Sequence, residues 1–390
     1  MEFSPSELWS TEARRDRLGF YARVRDAGSP VPQIEPGTGR RFWVVARYRD
    51  VRDGLIHPDI GHGSGGANPG SAWQSDADRV SSRQLISLDP PDHTRLRALV
   101  NAAFTARVVD RLAPWITDVV GLLDRLAARD VIDGVSDLAA PVPVSVIAEL
   151  VGIPEEDRTQ FREWSRLIVS GGASSRVATA EFADYIDGIA AHRRITPEDD
   201  LLSGLVALEN DGASLDRDEL VAMIHLLLIA GQETTVDLIS NGVLAMLTNP
   251  DQWHALTAEP SLASAVVEEV LRYDGPVEIV PPRIALRELE FAGGIIPAFE
   301  TVALSVYGAN HDPDVFAEPA SFDIHRPDVA QHLAFGHGAH FCLGARLARL
   351  EGRIMFEQLA LRFPKLQLAG DPADRRGDEP RVTSLPLRLE

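Results

Sequence analysis

A single cysteine in a chain of 390 residues, Cys342, lies inside the run Phe335-Gly336-His337-Gly338-Ala339-His340-Phe341-Cys342-Leu343-Gly344. No other stretch limits the possible folds so sharply. Glycines at 336, 338 and 344 permit positive φ and let the backbone come close to something large. A lone cysteine cannot form an intrachain disulfide, and zinc sites ordinarily need more than one Cys or His at ligand spacing. A solitary thiol is most often just a small hydrophobe. With these neighbours, two chemical readings stand: a thiolate nucleophile, or a thiolate ligand to one metal.

The rest of the chain reads as mainly helical. A helix is expected over residues 11–27, and Arg41-Phe42-Trp43-Val44-Val45-Ala46 is strand-like. From Ile60 to Ser75 the glycines at 61, 63, 65, 66 and 70 read as a long loop. Helical patterning then runs from His93 to about Tyr273, with breaks expected at Pro141, Pro143, Gly171-Gly172 and Pro250. Short strands are expected around Gly293-Gly294, between Val277 and Ser305, and a last helix over 343–362. The longest periodic segment opens on Asp216-Arg217-Asp218-Glu219, an acid at the cap with Glu three residues on, and runs to Thr248. As one helix it would be roughly 50 Å long, enough to cross a large pocket. Met223, Leu227, Ala230 and Thr234 share one of its faces. The expected fold class is mainly α with small β-sheets, and no boundary divides residues 1–390 into separate domains.

Charge narrows the partners. A formal net charge of −20 disfavours nucleic acid and anionic membrane surfaces. The N-terminus lacks a signal-peptide pattern, and the apolar run from Leu220 to Ala230 is well short of the ~20 residues that span a bilayer. One cysteine agrees with a reducing compartment. The expectation is a soluble, cytoplasmic protein.

The cysteine run resembles the haem-binding loop of the cytochrome P450 family, in the form Phe-Gly-x-Gly-x-His-x-Cys-x-Gly. The resemblance extends, in order, over nearly the whole chain. Ala230-Gly231-Gln232-Glu233-Thr234-Thr235 is similar to the family's oxygen-activation motif, Asp89-Pro90-Pro91-Asp92-His93-Thr94-Arg95-Leu96-Arg97 to its propionate-binding helix, and Glu269-Val270-Leu271-Arg272 with Arg326 to its Glu-x-x-Arg network. The resemblance implies haem b with Cys342 as axial thiolate, in a loop shaped by Phe335, Gly336 and Gly344. It implies His93, Arg97, Arg283 and His340 at the propionates, and small residues Ala230 and Gly231 leaving room beside the haem. Glu233 and Thr234 would then form the catalytic acid–alcohol pair, Thr234 holding a water and Glu233 relaying protons inward. The 223/227/230/234 face would look onto substrate. Arg95, Arg346, Arg349 and Arg353 would lie near the cysteine side and dock an acidic ferredoxin. Two positions depart from the pattern. Phe299 stands where a turn glycine is usual, and His311 stands where arginine is common, a change expected to be peripheral.

The implied activity is a bacterial-type haem-thiolate monooxygenase, hydroxylating or epoxidising an apolar small molecule with O2. A secondary metabolite such as a macrolide or other polyketide in antibiotic biosynthesis comes first, and a terpenoid or carrier-bound amino acid next. Electrons would come from NAD(P)H through a ferredoxin reductase and a ferredoxin, since no flavin or iron–sulfur cysteine pattern is present. The glycine-rich stretch 61–70 and the Gly171-Gly172-Ala173 break would act as lids, and nothing requires more than a monomer. A peroxygenase, an oxidative-coupling enzyme and a non-catalytic haem binder or sensor remain as alternatives on the same fold.

Overall fold

The computed structural model describes residues 3–62, 83–170, 172–208, 215–370 and 381–389. The lid expected over 61–70 falls mostly outside them, as does Gly171. The fold is built around the long helix, Arg217–Thr248. Its start carries the capping box read from the sequence: the Asp216 carboxylate accepts the Glu219 N–H at 2.8 Å, and the Glu219 carboxylate accepts the Asp216 N–H at 3.0 Å. The helices Pro141–Val151, Ala263–Asp274 and Ala345–Arg362 pack along it. Its glycines sit where those neighbours come closest. A Cβ at Gly242 would run into the Phe356 ring, and one at Gly231 would lie 2.9 Å from Ile147. Gly231 therefore also serves helix packing.

The strands are β1 (Val31–Ile34), β2 (Arg41–Val45), β3 (Ile60–Gly61), β4 (Val131–Asp133), β5 (Arg283–Ala285), β6 (Leu289–Phe291), β7 (Gly294–Ile296), β8 (Thr301–Leu304), β9 (Gln367–Leu368) and β10 (Pro386–Arg388). One sheet has the order β1-β2-β8-β5-β3, with β2 and β8 parallel and the other pairs antiparallel. A second has the order β4-β10-β9, and β6 and β7 form a hairpin. The hairpin turns through Ala292 and Gly293, both at positive φ (52° and 82°), the arrangement that matches strand twist in a two-residue loop. The main core is helical, and two smaller apolar clusters lie against the five-stranded sheet.

Several expectations need correcting. The first helix is two, Thr11–Arg15 and Arg17–Ala27, because Asp16 leaves helical geometry and caps the second through the Gly19 N–H at 2.9 Å. Pro141 and Pro143 start a helix instead of breaking one; a first-turn proline loses no hydrogen bond. Strand β4 interrupts the helical half because its partner β10 comes from the far end of the chain. Gly134–Val151 and Arg217–Thr248 are both long and apolar enough to cross a membrane, which the short Leu220–Ala230 run concealed, yet at least half of each is buried among other elements. His311 is not peripheral: it is 1% exposed, its Nδ1 lies 2.9 Å from the Tyr307 carbonyl and its ring packs against Tyr307. Phe299 keeps the turn a glycine would make, at φ 64° with its ring exposed, a strained setting for an aromatic residue.

Candidate active site

The cysteine loop is organised by its own backbone. The Cys342 N–H donates to the Phe335 carbonyl at 2.9 Å and the Gly336 N–H to the Leu333 carbonyl at 2.8 Å. Gly336 and Gly338 take φ of 74° and 76°, open to glycine at little cost. Burial pushes the Cys342 thiol up. The Gly344 N–H, the Arg97 and Arg349 charges and the Ala345 N–H pull against it. Those groups favour a thiolate once something cationic meets the sulfur. No side chain approaches the Gly344 Cβ position within 4 Å, and Arg349 lies over the Phe335 ring at 4.5 Å.

Beside the loop lies a cluster of bases. His93 and Arg97 stand on the helix Asp92–Ala103, Arg283 opens β5, and His340 precedes the cysteine by two residues. Arg97 donates to the Phe341 carbonyl at 2.7 Å, tying this helix to the loop. The His340 ring sits 3.9 Å from His93 and 4.7 Å from His62, a residue the sequence reading assigned only to a loop. Both His93 ring nitrogens, His62 Nε2 and Arg283 Nε are buried without a hydrogen-bond partner among the described residues. Burial, then the neighbouring His93, His62 and Arg283, hold the His340 imidazole down to about 3; burial and Arg283 hold His62 down to about 4. Against these bases stands one carboxylate, Asp89. One nitrogen of the neutral His93 ring donates, so His93, His62 and Arg283 each offer a donor, and buried donors without acceptors are expensive in a finished structure. An anionic ligand would satisfy them.

On the long helix, Ala230 is exposed although the helix runs through the centre of the fold, and Leu227 and Thr234 on the same face are half-buried. Met223 does not join them: it is 1% exposed in the main core. The Thr234 hydroxyl donates to the Ala230 carbonyl at 2.5 Å, which leaves its lone pairs free to accept. Glu233 is held by Arg381 at 3.0 Å, and the same guanidinium lies 3.9 Å from Asp237 one turn on. Neither partner could be read from the motif, since Arg381 arrives from the other end of the chain.

The Glu269 network matches its expectation. Glu269 pairs with Arg272 at 2.7 Å and with Arg326 at 3.4 Å, all three buried. The expected basic docking face does not stand bare. Arg346 pairs with Asp110, Arg349 with Glu268, Arg353 with Glu357, and Arg95 turns to Glu219 at the cap of the long helix.

Among the described residues no cluster of His, Cys, Asp and Glu could by itself hold a metal ion. One cysteine sulfur with an adjoining nest of anion-seeking donors, together with a small exposed residue on the central helix, fits a metal that brings its own macrocycle and acidic side arms. That is the outline of a haem-thiolate protein. The cytochrome P450 family model matches residues 172–376. The chain is 42% identical over 372 residues to cytochrome P450 107B1 of Saccharopolyspora erythraea, covering 93% of this chain and 91% of that one. It is 43% identical over 353 residues to the vitamin D(3) 25-hydroxylase of Pseudonocardia autotrophica, covering 90% and 87%. The solved bacillaene polyketide synthase cytochrome P450 PksS of Bacillus subtilis superimposes with a TM-score of 0.90 at 35% identity, covering 100% of both chains. The chain belongs to the cytochrome P450 family. It is a monooxygenase that binds haem b through the thiolate of Cys342.

Proposed function

We propose that the whole chain, residues 1–390, works as one monomeric cytoplasmic unit that hydroxylates or epoxidises an apolar polyketide scaffold, free or carrier-bound. The carrying observation is the exposed Ala230 with Leu227 and Thr234 on the same face, a small apolar site midway along the central helix. The likeness to PksS favours a polyketide, while the vitamin D(3) 25-hydroxylase marks secosteroids as the competing class. Haem, when bound, supplies the activation of dioxygen and the transfer of one oxygen atom to substrate.

The protein's own residues do the rest. Arg97 and Arg283 would neutralise the haem propionates, and His93 and His340 would donate hydrogen bonds to them. Phe335, Gly336 and Gly344 leave the thiolate its approach. Thr234, its proton engaged on Ala230, accepts a hydrogen bond from a water and holds it at the reaction centre. Glu233 passes protons toward that water when its side chain leaves Arg381, which meanwhile has Asp237 to face. Electrons come from NAD(P)H through a reductase and a ferredoxin. With Arg346, Arg349 and Arg353 each already paired to an acid, the ferredoxin meets a mixed-charge face and binds weakly and transiently.

Optical titration of the ferric protein tests the substrate class, using macrolactones, secosteroids, terpenoids and acyl-carrier conjugates. A low-to-high-spin Soret shift with macrolactones, free or carrier-borne, is the expected result. A shift confined to secosteroids or terpenoids would overturn it. Thr234→Ala tests the relay: NAD(P)H consumption should continue while product per electron pair falls, and full coupling would remove Thr234 from the mechanism.

A further inference from the structure

Strand β3 ends the five-stranded sheet with Ile60 opposite Ala285 and Gly61 opposite Ile284 of β5. Continuing that antiparallel register by one residue sets His62 opposite Arg283. Directly opposed residues project to the same face of a sheet. The backbone is pinned there: the His62 N–H donates to both Asp89 carboxylate oxygens, at 2.9 and 3.1 Å. Gly61 makes that approach possible, since a Cβ at 61 would lie 3.0 Å from the same carboxylate. The ring that results lies 4.7 Å from His340, and its Nε2 is buried without a partner among the described residues. Nothing in the apolar core asks for an imidazole at this position. A buried ring nitrogen beside His340, Arg283 and His93, with the Asp89 oxygens already engaged by the His62 N–H, is set out for an acceptor that the described residues do not provide.

We propose that His62 is a further propionate ligand, a hydrogen-bond donor that edge strand β3 contributes to the carboxylates gathered by Arg283 and His340. The inference rests on the propionate reading of that cluster and adds a residue outside the recognised motifs. Asp89 acts as a positioning residue, holding the strand end so that the ring faces inward. The cofactor is thereby joined to the edge of the sheet as well as to the cysteine loop and the helix Asp92–Ala103.

The test is the rate at which the ferric holoenzyme gives up haem to an excess of apomyoglobin, compared across wild type, His62→Leu, His62→Gln and Arg283→Leu. His62→Leu should lose haem about tenfold faster, as expected for one lost hydrogen bond to a charged group. His62→Gln, which keeps a donor, should recover most of the difference. Melting of the haem-free protein should be the same for His62→Leu and wild type. A wild-type rate for His62→Leu beside faster loss from Arg283→Leu overturns the role of His62 alone. Wild-type rates for both overturn the propionate reading beneath it. Equal destabilisation of haem-free and loaded His62→Leu would make the ring a packing element and also defeat the proposal. Should His62→Leu fail to fold, His62→Ser, too short to reach, carries the same comparison.

Discussion

Two buried polar clusters in this protein differ in one respect. Around Glu269 every charge has an answer within the chain: both Arg272 and Arg326 meet the carboxylate, the Asp323 N–H donates to it at 2.9 Å, and the guanidiniums also donate to the carbonyls of Asn310, Ala317, Pro319 and Ser321. Around His340 the polypeptide gathers His62, His93 and Arg283 and leaves four ring or guanidinium nitrogens unanswered. The first cluster is complete at the end of folding. The second becomes complete only when an anion arrives. Buried polar groups thus tell structure from ligand site by whether their partners are already present.

Breaking the closed cluster should have the largest effect. Glu269→Ala leaves two buried guanidiniums without their carboxylate and should lower stability by ~3–5 kcal/mol, read as a fall in the urea midpoint or as loss of soluble protein. Arg283→Leu is the converse. It should speed haem loss by about tenfold or more, while the haem-free protein melts no lower than wild type, because burying this guanidinium without an anion is itself costly. A lower melting point without haem would mean the cluster is closed after all.

Glu351 sharpens the contrast as a buried carboxyl that no cation among the described residues answers. It is 2% exposed, and burial pushes it up to about 8. A folded-state pKa raised above the unfolded value gives stability that is whole below about pH 4.5 and lost as pH climbs toward 8. Urea midpoints between pH 5 and 8.5 should therefore fall in wild type and flatten in Glu351→Gln; parallel curves would show that another group titrates. Thr234→Ala should have the smallest effect on stability, within ~0.5 kcal/mol, because it removes only a hydroxyl bonded within its own helix. A larger change in melting would make Thr234 structural, whatever its effect on coupling.

Local grammar carried much of the fold into the sequence. The capping box at Asp216, the hairpin near Gly293 and the glycines around Cys342 act over a few residues, so their spacing is their mechanism. What was not legible depends on distant partners. Strand β4 exists because β10 pairs with it, and Arg381 reaches Glu233 from near the C-terminus. His62 resembles any loop histidine until β5 places it across from Arg283. Asp16 shows the same limit at short range: periodicity carried one helix through residues 11–27, while a single capping carboxylate made it two. The docking arginines were legible as charges, but not as charges already neutralised.

Ala230 and Gly231 are adjacent, small and on one helix, yet they have opposite prospects under laboratory evolution. Position 231 is tighter: a Cβ there would lie 2.9 Å from the Ile147 Cδ1 methyl, so bulk presses on the neighbouring helix. Position 230 is exposed on the apolar face of the helix, so a larger side chain there meets ligand before it meets the rest of the protein. Libraries that seek a new substrate or a different oxidised carbon should therefore vary residue 230 in small steps, through Gly, Ser and Val, since this position also borders the haem, and hold residue 231 constant. Most of their variants will keep the parent fold while the shape of the opening changes one methyl group at a time.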